Sequence, residues 1–175
     1  MKPLSRSEIM RMYPDNEIDR TAIIYPGVIM GKNNYIGPQC IIGGPAEKIG
    51  YLNRIGQVVI GNNNRFTKQV TIDSGSELIT IIKDGCIFLK NAHIGHDASI
   101  QSKVILSCNV IIGGWCEVGE DVGMGLGAMT HPRTKVMPRC YLGMSCVYLK
   151  NTEAAPGITY VGNPAVILGK NKKYD

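Results

Sequence analysis

Apolar residues recur every six positions through most of this chain, and glycine often follows them. The series runs Ile24, Met30, Ile36, Ile42, then Ile60, Phe66, Ile72, Leu78. After a slip of four residues it resumes at Phe88, Ile94, Ile100, Leu106, Ile112, Val118, Met124, Thr130, Val136, Leu142 and Tyr148. Of these 19 positions only Thr130 is neither apolar nor aromatic, so the period is sustained from Ile24 to Tyr148. A helix repeats every 3.6 residues and an unbroken strand every two; neither sustains six. Short strands that end at corners do, with three strands making one coil. The pattern predicts an all-β solenoid.

The first 20 residues lie outside the series. Ser5-Arg6-Ser7-Glu8 reads as a capping box opening a short helix to about Met12, stopped before Pro14. Such a helix would plug one open end of the solenoid, where sheet edges are otherwise bare. The expected layout is a cap segment 1–20, a solenoid domain 21–165 and a basic tail 166–175 carrying Lys170, Lys172 and Lys173. The stretch 44–57 loses the pattern. Ile42 and Ile60 are 18 residues apart, so it reads as one whole coil bulged into an outward loop. The stretch 79–86 reads as a second, smaller loop holding the four extra residues.

Stacking at 18 residues per coil puts Ile36, Ile72, Ile94, Ile112, Thr130 and Tyr148 on one inner face. The residue before each points outward, which gives the row Tyr35, Thr71, His93, Ile111, Met129, Val147. A second outward row reads Glu77, Ser99, Glu117, Lys135. The first row is too apolar for a solvent face. It predicts burial against copies of the same chain, most simply in a closed ring.

The corner after that face concentrates the chemistry. Asp73-Ser74, Gly95-His96-Asp97, Gly113-Gly114-Trp115 and His131-Pro132-Arg133 follow one another along it. His96 is the candidate general base, because imidazole exchanges protons near neutral pH. Asp97 or Asp73 would orient it, and the Gly114 N–H would face a developing oxyanion. A zinc site needs converging ligands, and His93 and His96 alone, one on a face and one at a corner, are a poor pair within one chain.

Bulk properties narrow the class. Five of the six cysteines (Cys40, Cys86, Cys116, Cys140, Cys146) sit two residues before a series position, where cysteine serves as a small hydrophobe. Only Cys108 falls at a corner. A reducing, cytoplasmic setting is expected rather than a disulfide framework. The net charge is +5 with no basic stripe, which argues against nucleic acid. The charged N-terminal segment has no apolar run, so neither a signal peptide nor a membrane span is expected.

The run Thr21-Ala22-Ile23-Ile24-Tyr25-Pro26-Gly27-Val28 resembles the opening coil of the hexapeptide-repeat acyltransferases. Their fold is a left-handed parallel β-helix that trimerises. Ile60-Gly61-Asn62-Asn63-Asn64-Arg65-Phe66, Val70-Thr71-Ile72 and above all Asn91-Ala92-His93-Ile94-Gly95-His96-Asp97 resemble the UDP-N-acetylglucosamine O-acyltransferases of lipid A synthesis. The resemblance implies that His96 is the base, His93 lines the site and Gly114 supplies the oxyanion donor. Trp115 stands where that family has a further histidine, and His131 keeps the position of another. Lys48, with Glu47 beside it, stands where an aspartate contacts the acceptor. Val161-Gly162-Asn163-Pro164-Ala165 resembles the closing motif of CoA-dependent sugar acetyltransferases, which implicates Gly162, Asn163 and Pro164 in donor binding. Within these 175 residues no counterpart of the family's helical C-terminal domain is expected. The implied donor is acyl-CoA or acyl-carrier protein, with no bound cofactor, and the acceptor is sugar-like. A γ-carbonic-anhydrase-like metal hydratase and a non-catalytic trimeric binding module are the competing readings.

Overall fold

The computed structural model describes residues 2–174. It is a left-handed parallel β-helix with one short helix at its N-terminal end. Two- to five-residue strands stack into three sheets of nine, seven and six strands. Within the uninterrupted coils, stacked partners are 18 residues apart, as for Ile94 and Ile112 or Phe88 and Leu106. The inner residue of each strand is buried, and the outer one alternates away from the core.

The core is a narrow column of aliphatic, aromatic and cysteine side chains. Ile24, Ile42, Ile72, Ile94, Ile112, Thr130 and Tyr148 stack on the seven-stranded sheet. Thr130 is tolerated because its hydroxyl lies 3.2 Å from the Gly113 nitrogen and 3.3 Å from the Cys116 sulfur. Phe66 and Phe88 stack face to face at 4.9 Å, and Tyr148 meets Tyr160 edge-on at 5.2 Å. The five predicted inward cysteines are buried, and Cys108 is only partly so.

The N-terminal helix spans Arg6–Met12 and carries both halves of the expected capping box. Ser5 accepts from the Glu8 N–H, and the Glu8 carboxylate accepts from the Ser5 N–H at 2.7 Å. Ile9 and Tyr13 close the end of the core, with the Tyr13 hydroxyl donating to the Val28 carbonyl at 2.8 Å. Pairing starts earlier than the series indicates. Glu17–Ile18 already pair with Tyr35–Ile36. At the other end Val166–Lys170 fold back as an antiparallel strand on Ile158–Val161.

The two irregular stretches differ from the sequence expectation. Met30 pairs with Ile60 and Ile42 with Ile72, each 30 residues apart. The loop at residues 45–57 therefore carries a twelve-residue insertion between adjacent strands, and is not a coil of its own. Ile36 consequently belongs to the nine-stranded sheet, stacked between Ile18 and Phe66. The outward row on the seven-stranded sheet is Ile23, Ile41, Thr71, His93, Ile111, Met129, Val147, without Tyr35. The four-residue insertion also moves. Ile82, not Leu78, is the buried member that pairs with Ile60 and Ile100, while Leu78 is 64% exposed. The smaller loop is thus 74–79, and Ile81 replaces Glu77 in the second outward row.

Candidate active site

Each corner of the solenoid places the third residue after the inner aliphatic at positive φ: Asp97 at 61°, Trp115 at 56°, Arg133 at 64°. Aspartate adopts this conformation readily; a bulky tryptophan rarely does. This local geometry swings Asp97 and Trp115 to the same edge. Both insertions then fold onto that edge, one from each side.

His96 is 8% exposed and lies flat against Gly114. A methyl group on Gly114 would stand 2.8 Å from both Cε1 and Nε2 of the ring. Nδ1 sits 2.7 Å from Asp97 Oδ2. Burial alone would raise the Asp97 carboxyl, yet hydrogen bonds from Ser76, His96, Leu78 and Glu77 outweigh it and hold the carboxyl at about 2. The carboxylate is ionised and can only accept, so His96 Nδ1 carries a hydrogen, which in the neutral imidazole leaves the lone pair on Nε2. Trp115 meets the imidazole edge-on at 4.4 Å. Trp115 N–H donates to the His96 carbonyl at 2.9 Å. Among the described residues the Gly114 N–H donates to no protein acceptor.

Asp73 lies one layer below. Its Oδ2 is 3.9 Å from His93 Nε2 and accepts the Glu47 N–H at 3.2 Å. Burial raises its carboxyl above the usual range, against the opposing pull of His93 and the Glu47 N–H. His93 is held on its other side by Thr71 Oγ1 at 2.8 Å. Lys48 reaches the opposite rim. It donates to Glu77 at 2.6 Å and to Ser76 Oγ at 3.4 Å, and sits 4.5 Å above the Trp115 ring. Arg133 covers Trp115 at 4.0 Å. Beside this edge runs an open groove of about 820 Å³ whose walls include Leu78, Ile79, Ile81, Asp97, Trp115 and Glu117. A separate cavity of about 420 Å³ lies under the C-terminal tail, between Ile105, Tyr141 and Lys173.

Of the residues the sequence singles out, the structure gathers His96, His93, Asp73, Gly114, Trp115, Glu47 and Lys48. His131 lies one layer above Gly113, exposed, with Nδ1 donating to the Pro132 carbonyl at 2.8 Å. Gly162, Asn163 and Pro164 lie at the far end of the same sheet, where the Gly162 carbonyl accepts from Val147. Ser76 is not among the residues the sequence singles out, because Asp73-Ser74 reads as a regular corner and Leu78 as the next series position. Its neighbours Gly75 and Ser74 carry a turn signal that would have placed the loop there. Among the described residues no three His, Cys, Asp or Glu side chains converge as a metal site would require. No described helix is long and apolar enough to cross a membrane.

The fold is similar to that of the hexapeptide-repeat acyltransferase β-helices. Within that class the chain is similar to UDP-N-acetylglucosamine O-acyltransferases, as the Asn-Ala-His-Ile-Gly-His-Asp run implies. The acyl-[acyl-carrier-protein]–UDP-N-acetylglucosamine O-acyltransferase of Rhizobium johnstonii is 27% identical over 164 residues, 91% of this chain and 59% of that protein. Its counterpart in Sinorhizobium fredii is 29% identical over 146 residues, 81% of this chain and 53% of that protein. The chain thus spans little more than half the length of these relatives. The solved UDP-N-acetylglucosamine O-acyltransferase of Moraxella catarrhalis superposes with TM-score 0.70 at 25% identity, covering 93% of this chain and 75% of that one. Perosamine N-acetyltransferase of Caulobacter crescentus, solved with CoA and GDP-perosamine, shares the fold at TM-score 0.51 and 18% identity, covering 89% and 57%. No family model matches the chain.

Proposed function

We propose that this chain is an acyltransferase that moves an acyl group from a thioester, acyl-CoA or acyl-carrier protein, to a hydroxyl or amine of a sugar or nucleotide-sugar. The observation that carries the reading is His96: Nδ1 is pinned by an ionised carboxylate, and Nε2 lies against a glycine whose N–H has no acceptor among the described residues. Nε2 takes the acceptor proton as the acceptor oxygen or nitrogen bonds to the thioester carbonyl carbon. The oxyanion that forms is met by the Gly114 N–H. Collapse expels the thiolate, and the imidazolium returns its proton to that sulfur. The products are an ester or amide and a free thiol.

The remaining gathered residues bind the acceptor in this reading. Lys48, Glu47 and His93 surround the mouth, Trp115 offers an aromatic wall, and His131 lies further along the edge. Gly162, Asn163 and Pro164 hold the donor. The working form is a cytoplasmic homotrimer. The outward row of Ile23, Ile41, Ile111 and Met129, each between 37% and 42% exposed, supports it, because a neighbouring subunit on that face would also wall the cleft at His93. The test is a matrix of acyl-CoA and acyl-carrier-protein donors against nucleotide-sugars. The readouts are thiol release, product mass and sedimentation. The expected result is thiol release that depends on the acceptor, from a trimer. A monomer, or no release with any pair, contradicts the proposal.

A further inference from the structure

We propose that Ser76 is a positioning residue for His96, acting through the shared carboxylate oxygen of Asp97. This rests on the reading of His96 as the base. Both oxygens of Asp97 are engaged by the smaller insertion, and Oδ2 also by His96. Oδ1 collects the backbone N–H groups of Ser76, Glu77 and Leu78 at 2.9, 3.0 and 2.6 Å. Oδ2 accepts the Ser76 hydroxyl at 2.6 Å and His96 Nδ1–H at 2.7 Å. The backbone N–H of Asp97 is itself tied to Thr80 Oγ1 at 2.8 Å. The carboxylate therefore cannot turn without breaking the loop, and the imidazole bound to it cannot turn either.

Ser76 and His96 compete for one oxygen. The serine hydroxyl withdraws part of the charge on Oδ2 that would otherwise stabilise the imidazolium, and so favours the neutral base. The other charged groups around the ring are Asp73 and His93 in the layer below, Glu77 in the same loop, Lys48 from the longer loop, and Arg133 beyond Trp115. Lys48 reaches the same hydroxyl at 3.4 Å, which couples the two insertions through Ser76.

Removing the hydroxyl leaves Asp97 Oδ2 to His96 alone. The imidazolium gains stability, so its midpoint rises and less neutral base is present at a given pH. The experiment follows the His96 ring nitrogens by NMR in the whole protein as pH is varied, with the three histidines assigned by single His→Gln variants. Wild type is expected to show the Nδ1–H tautomer when neutral. Ser76→Ala is expected to raise the midpoint by about 0.5–1 pH unit, the equivalent of one hydrogen bond. Ser76→Thr, which keeps the hydroxyl, is expected to restore it. Once a reacting donor and acceptor are known, the acid limb of kcat/KM should move by the same amount. An unchanged midpoint in Ser76→Ala, or a Ser76→Thr midpoint away from wild type, overturns the proposal. Should Ser76→Ala lose the 74–79 loop altogether, Ser76→Cys decides: its weaker donor of similar size should raise the midpoint in the same direction, and an unchanged midpoint overturns the proposal. The ring titration needs no substrate, so Ser76 can fail here while His96 stands as the base, and His96→Ala can retain turnover while the Ser76 effect remains.

Discussion

The uninterrupted coils from Ile87 to Tyr148 and the two insertions at 45–57 and 74–79 follow opposite rules. In the coils each strand pairs 18 residues on, and each inner side chain is buried on its predecessor. In the core of these coils the packing depends only on the size and polarity of the inward side chains. The insertions bury little of their own. Ile49 is 97% exposed and Leu52 58%. They are held instead by polar contacts to the corner, Glu47 N–H to Asp73 and three backbone N–H groups to Asp97, and to each other through Lys48 and Glu77. The solenoid supplies a rigid column of positions, and irregular chain laid on it turns one corner into a pocket.

Substitutions that exploit this contrast should separate stability from chemistry. Ile112 is fully buried in the middle of the stack. Ile112→Ala should cost about 2–5 kcal/mol in urea unfolding. The same truncation at Leu52 in the longer insertion should stay within about 0.5 kcal/mol. Equal losses at both sites would mean that the insertion is part of the core. Gly114→Ala works in the opposite direction. The added methyl group collides with the His96 ring while leaving the stack untouched. Thioester turnover should drop by about 10²-fold, as for loss of a preorganised donor, with the unfolding midpoint nearly unchanged. Turnover close to wild type would place the reacting atoms away from Gly114.

The same contrast explains what the sequence discloses. Six-residue periodicity is a phase, and phase persists only where the chain is unbroken. The coils, the capping box at Ser5 and Glu8, the inward cysteines and the column of Asp73, His96 and Gly114 all lie in or beside unbroken runs, and all were legible. The twelve-residue insertion is a multiple of six, so it preserves the phase while shifting everything before it to another face. That is why Ile36 and Tyr35 went to the wrong sheet. The second insertion contains Leu78, an apolar residue six positions after Ile72 that mimics the series while lying exposed in a loop. With that register mistaken, Ser76 could not be seen to reach Asp97. The site's aromatic and basic rim, Trp115 between Lys48 and Arg133, depends on how both loops lie and has no periodic signature.

The central claim is that Nε2 of His96 takes the acceptor's proton, and His96→Ala tests it most directly. Purified variant and wild type should be compared for thiol release from a donor–acceptor pair that wild type turns over, with the oligomeric state and unfolding midpoint measured alongside. The account predicts a loss of about 10²–10⁴-fold with both physical properties retained. A variant that keeps a tenth or more of wild-type turnover would contradict it.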